Sequence, residues 1–305
     1  MRSRKSGALD FQYFKPKLEL SIDPIAINSI HNNKVTLDTS KLDNYLSELG
    51  SKYRISKIII KSDYICELSE FYLDILYKLC EVYTKNIELH CDLSKVSSGM
   101  INVFQNIYVN LNFNNFRGDQ RVIEDNIRAL KDNRCINIIS VDKSCKENPE
   151  AIINKLNRLG VNSWKIIPHY LDNRENIDFN SFQEYENIIL KYVTLSKTMK
   201  FAFINKLELD NVINNYNYSL IRLKINASGN ILFAKYDDKD NLYFQEFSDL
   251  LDIYKEIEIY DQKIKTYCNC CPFKNKCLAT YINYNWKLES CSGCGHLLRD
   301  LRYYK

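Results

Sequence analysis

Six of the eleven cysteines crowd into residues 268–294: Cys268, Cys270, Cys271, Cys277, Cys291 and Cys294. The run reads Cys268-x2-Cys271-x5-Cys277 and then Cys291-x2-Cys294. Thiolates two residues apart converge on one metal because the turn between them points both sulfurs inward, and two such knuckles complete a tetrahedral site or hold a cubane. Cys268, Cys271, Cys291 and Cys294 alone make a zinc ribbon; adding Cys277 gives a spacing suited to a 4Fe-4S cluster. Cys270 diverges from its neighbour Cys271 and is read as a non-ligand. His296, directly after the second knuckle, is the alternative zinc ligand in place of Cys277. The competing reading is a set of unligated thiols buried as small hydrophobes, which the paired spacing argues against.

Elsewhere the chemistry-bearing residues are sparse. Cys66, Cys80, Cys91, Cys135 and Cys145 are scattered singly. His31, among Asn and Lys, reads first as a solvated loop residue, and His90 and His169 sit beside strand ends, where packing is the commoner role. Glu67 with Glu70 and Asp237 with Asp238 are carboxylate pairs, but helix faces and hairpin tips are usually charged for solvation. The terminal RDLRYYK mixes basic and aromatic residues in the manner of an RNA contact, though it is short.

The elements that must position these groups are short apolar strands alternating with helical stretches. Strands are expected at 17–22, 57–60, 87–91, 107–113, 135–141 and 164–168. Helices are expected at 40–50, 67–83, near 95–104, and at 119–133, 148–160 and 180–197. Ser40, Ser69 and Asn180 fit N-caps, while Gly50 and Gly160 fit C-caps. This rhythm predicts parallel βαβ units with right-handed crossovers. Six units before residue 200 are too few for the closed eight-unit barrel, and no G-x-G-x-x-G turn follows the first strand. The expected fold is α/β, a partial (βα)6 TIM-like barrel. After about 205, IRLKINASGNILFAKYDD predicts a hairpin around residues 227–230, followed by an acidic helix from 246 and the cysteine segment.

The chain has 305 residues, 42 basic and 38 acidic, for a formal charge of +4. That near balance argues against a duplex-binding protein. No apolar run reaches the roughly 18 residues that cross a bilayer, and the first 17 residues have no apolar signal core. A cytoplasmic, reducing location is therefore expected, with the cysteines reduced and some of them serving as metal ligands.

With the terminal cysteines and the six-unit rhythm in place, the sequence resembles radical SAM enzymes with a C-terminal SPASM domain. That family's terminal pattern, a Gly-x4-Cys hairpin, then Cys-x2-Cys-x5-Cys-x3-Cys and a last Cys, is similar to the stretch from Gly229 to the end. The resemblance implies a tail over 1–16, a radical SAM-like partial barrel over 17–205 and a SPASM-like domain over 206–305. It implies one Cys-ligated centre, 4Fe-4S or zinc, held by Cys268, Cys271, Cys277 and either Cys291 or Cys294.

The departures are as informative. The family carries Cys-x3-Cys-x2-Cys after the first strand, three thiolates for the cluster that binds S-adenosylmethionine. Here that loop is DPIAINSIHNNK, residues 23–34, without a cysteine. The Gly-Gly-Glu-Pro that contacts the cofactor is replaced by Ser62, Asp63, Tyr64 and Ile65. The hairpin cysteine is Ala234, the fourth of the central run is Tyr281, and no cysteine lies between 146 and 267. The expectation is a degenerate, non-catalytic member that uses no S-adenosylmethionine. It would accompany a radical SAM maturase of ribosomally made peptides, binding the maturase or its precursor peptide through Tyr and Phe contacts. The alternatives are an enzyme using a different small cofactor near His31, His90 or His169, and a zinc-ribbon nucleic-acid-binding protein.

Overall fold

The computed structural model describes residues 16–28, 33–92, 96–104, 106–111, 125, 136–140, 148–158, 160–161, 163–167, 182–199, 201–203, 220–236 and 242–267. A small antiparallel pair, β2 (Ile25–Asn28) and β3 (Asn33–Thr36), stands apart from the main sheet. The parallel run of that sheet comprises β1 (Lys17–Ile22), β4 (Arg54–Lys61), β5 (Ile87–Asp92), β6 (Ile107–Leu111), β7 (Ile136–Ser140), β8 (Ser163–Ile167) and the two-residue β9 (Ala202–Phe203). On the other side of β1 lies β10 (Leu220–Ile225), also parallel to it, then β11 (Ile231–Tyr236) and β12 (Leu242–Phe247) in antiparallel sequence. Among the described residues the sheet thus has ten strands in the order β12-β11-β10-β1-β4-β5-β6-β7-β8-β9. The six expected strands are all present. The fold is mixed α/β around a parallel sheet.

Alternation assigns the two faces of this sheet. Leu18, Leu20 and Ile22 on β1, Ile58 and Ile60 on β4, and Ile87 and Leu89 on β5 are nearly inaccessible. They share one core cluster with the apolar stripes of α1 (Thr39–Lys52) and α2 (Glu70–Glu81). Those stripes, Leu42-Tyr45-Leu46-Leu49 and Leu73-Leu76-Cys80, have helical spacing, so each helix buries a single face. Ile55 is buried although it breaks the alternation with Ile58. The β1–β4 register shifts between Leu18 and Glu19, so one extra residue on β4, Ser56, lies between the paired positions.

The caps correct two expectations. At α1 the cap is Asp38 rather than Ser40: its carboxylate accepts from the Ser40 and Lys41 amides at 2.8 and 3.4 Å, and a carboxylate at the helix N-terminus is stabilising. Gly50 lies inside α1, where an added Cβ would stand 3.3 Å from the Tyr83 ring, so this glycine serves packing rather than termination. Ser69 caps α2 as expected, accepting from the Tyr72 amide at 3.2 Å. Gly160 follows the Pro149–Arg158 helix at φ +77°, a left-handed end. Asn180 and the expected 119–133 helix lie outside the described residues, apart from Asp125.

The expected hairpin is β10–β11. Gly229 in its turn has φ +73°, and a Cβ there would meet the Lys41 side chain at 2.7 Å. The Lys41 ammonium donates to the Ser228 carbonyl at 3.3 Å, joining turn and α1. Residues 246–247, read as the start of the acidic helix, instead end β12; the helix runs Leu250–Tyr267. It packs on α1, with the Tyr254 hydroxyl 3.2 Å from Glu48 and the Lys52 ammonium 3.2 Å from the Tyr254 ring centroid.

Candidate functional site

Parallel α/β sheets place their chemistry at the carboxyl ends of the strands. At the ends of β1 and β4 the chain turns back on itself. Residues 23–34, expected as an open loop, contain β2, which pairs antiparallel with β3. The hairpin is tied down at both feet. The Asp23 amide donates to the Ile225 carbonyl at 2.8 Å, and the Leu37 amide to the Pro24 carbonyl at 2.9 Å. The buried Ser62 hydroxyl donates to the Ile25 carbonyl at 2.8 Å, and the Tyr72 hydroxyl to the Leu37 carbonyl at 2.6 Å. Lys34 reaches the Glu67 carbonyl in the one-turn helix Ile65–Glu67. Ile25 and Leu37 are each 1% exposed, so the hairpin's feet are core.

Asp23 is the least satisfied member of this mouth. Its Oδ1 is buried without a hydrogen-bond partner, and its Oδ2 lies 3.7 Å from the Lys224 ammonium. Burial pushes its carboxyl above the usual range, with the Ser62 hydroxyl and the Lys224 charge offsetting part of that. Burial, with the Asp38 charge nearby, also pushes the Tyr72 phenol up to about 12, so it stays protonated as the donor to Leu37.

The sheet face opposite α1 and α2 is polar where a filled barrel would carry Val, Ile and Leu. Lys57 on β4 and Glu88 on β5 pair at 2.8 Å, and the other Glu88 oxygen lies 2.9 Å from His90 Nε2. All three are largely buried: side-chain exposure is 17% for Lys57, 4% for Glu88 and 7% for His90. Glu88 and His90 are two apart on one strand and so share its face. A buried charged network of this kind is retained at a desolvation cost, which marks the face as a functional candidate. His90 is legible in the sequence as a strand-end residue. Lys57 and Glu88 are not, because their meeting depends on the pairing of two strands.

The remaining expected site residues divide plainly. Cys268, Cys270, Cys271, Cys277, Cys291, Cys294 and His296 lie outside the described residues, as do His31, His169, Asp237 and Asp238. Glu67 and Glu70 are described and exposed, in keeping with solvated helix termini.

The cluster that would hold S-adenosylmethionine requires three converging thiolates, and the described residues do not fit it. Cys66 is exposed, Cys80 is buried in α2, and Cys91 is buried on β5. Burial pushes the Cys80 thiol up to about 12, far from thiolate character. Among the described residues no three His, Cys, Asp or Glu side chains gather around a metal position. Likewise, none of the described helices is long and apolar enough to cross a membrane.

The backbone is similar to a solved structure of hexahistidine-tagged anSMEcpe with bound AdoMet, with TM-score 0.50 and 9% identity over 71% of each chain. Weaker likenesses, both at TM-score 0.48, are native anSMEcpe with bound AdoMet and Kp18Cys peptide, at 9% identity over 71% of this chain and 74% of that one, and Streptococcus suis SuiB bound to precursor peptide SuiA, at 12% identity over 71% of this chain and 59% of that one. No family model and no curated protein matches the sequence. At 9% identity the likeness is one of fold.

Proposed function

We propose that this chain is a non-catalytic radical SAM-like protein that binds the precursor peptide or the maturase of a peptide-maturation system. The observation that carries the reading is the segment after β1. Where the family holds three cluster thiolates, this chain has a cysteine-free hairpin whose feet are buried and hydrogen-bonded to Ser62 just after β4, to β10 and to α2. Building a cluster there would require breaking that packing as well as supplying ligands. What remains is a frame with recognition surfaces. In this reading residues 17–205 act as the radical SAM-like part. Residues 206–305 carry one SPASM-like metal centre, held by Cys268, Cys271, Cys277 and one of Cys291 and Cys294. The test is co-expression with the maturase and precursor peptide of the same system, followed by affinity capture at low and high salt. A stoichiometric complex that survives salt fits recognition through Tyr and Phe; absence of any complex overturns the partner role.

The buried Lys57–Glu88–His90 network favours a second reading, an enzyme with a different small cofactor on the polar face of the sheet. A cofactor that raises the melting temperature of the native chain, but not of His90→Gln, would support it.

A further inference from the structure

We draw no further inference here: the strongest candidate, the buried Lys57–Glu88–His90 side-chain cluster on the polar face of the sheet, belongs to the site already described, and nothing in the structure shows which class of ligand it would take.

Discussion

The Ser62 hydroxyl donates a 2.8 Å hydrogen bond to the Ile25 carbonyl, joining the carboxyl end of β4 to the first strand of the hairpin that follows β1. Both residues are buried, so the bond forms away from water. Ser62→Ala would leave the Ile25 carbonyl without this donor, a loss of about 1–3 kcal/mol. For a chain this long, the melting temperature should fall by roughly 2–4 °C for each kcal/mol lost. No change in melting temperature would mean that the hairpin is not held there.

Asp23 and Glu246 should respond to pH with opposite signs. Burial raises the folded-state pKa of Asp23, so the folded chain holds that proton more tightly than the unfolded one. Its ionisation therefore removes stability as pH rises from the ordinary carboxylate pKa through the raised one. Asp23→Asn should stabilise the chain at pH 7.5, with the gain vanishing below about pH 4. Glu246 accepts from the Asn230 and Asn226 amides at 2.6 and 2.8 Å, which hold its pKa below the usual range. Its contribution is present above the unfolded pKa and lost as pH falls through the folded one. Glu246→Gln should cost a little stability near neutrality and nothing in acid. Melting temperatures from about pH 2.5 to 7.5 would reveal both trends, and parallel trends would contradict them.

The reach of the sequence, and its limit, are clearest at β1 and at residues 23–34. KLELSI alternates apolar and polar residues without interruption, and the strand is where the alternation puts it. In DPIAINSIHNNK the alternation covers only Ile25 and Ile27 and is lost from Asn28 onward, so the hairpin becomes visible only through its pairing and tethers. Likewise Glu246 and Phe247 join an acidic helix by composition, whereas pairing with β11 makes them strand. The polar network is hidden for a related reason: Glu88 and His90 are readable as one face, but nothing local announces Lys57 on another strand. The cysteine constellation, the strongest signal in the sequence, lies outside the described residues.

Glu88 serves two cationic or polar partners at once. Glu88→Gln removes the charge beside Lys57 and His90, and breaking a buried pair from one side costs about 3 kcal/mol or more. A double-mutant cycle of Lys57→Met with Glu88→Gln should give a coupling of roughly 0.5–3 kcal/mol in urea unfolding. Additive effects would show that the pair is not energetically coupled.

The terminal cysteines should hold one metal centre per chain. Elemental analysis of anaerobically purified protein should find about one zinc, or about four irons with matching sulfide. Cys271→Ser should release it and loosen residues from about 265 onward while the sheet stays folded, because such sites draw their stability from the ligand bonds. Metal in the amount of two cubanes would contradict a single site.

The most direct measurement is reductive cleavage of S-adenosylmethionine. The anaerobically reconstituted chain would be incubated with dithionite and the cofactor, and 5′-deoxyadenosine quantified against a protein-free control. With the pinned, cysteine-free hairpin in place of the cluster loop, production should equal the control. Reproducible 5′-deoxyadenosine above the control, abolished by Cys271→Ser or by removing iron, would show that the chain recruits cluster ligands from elsewhere and is a catalyst.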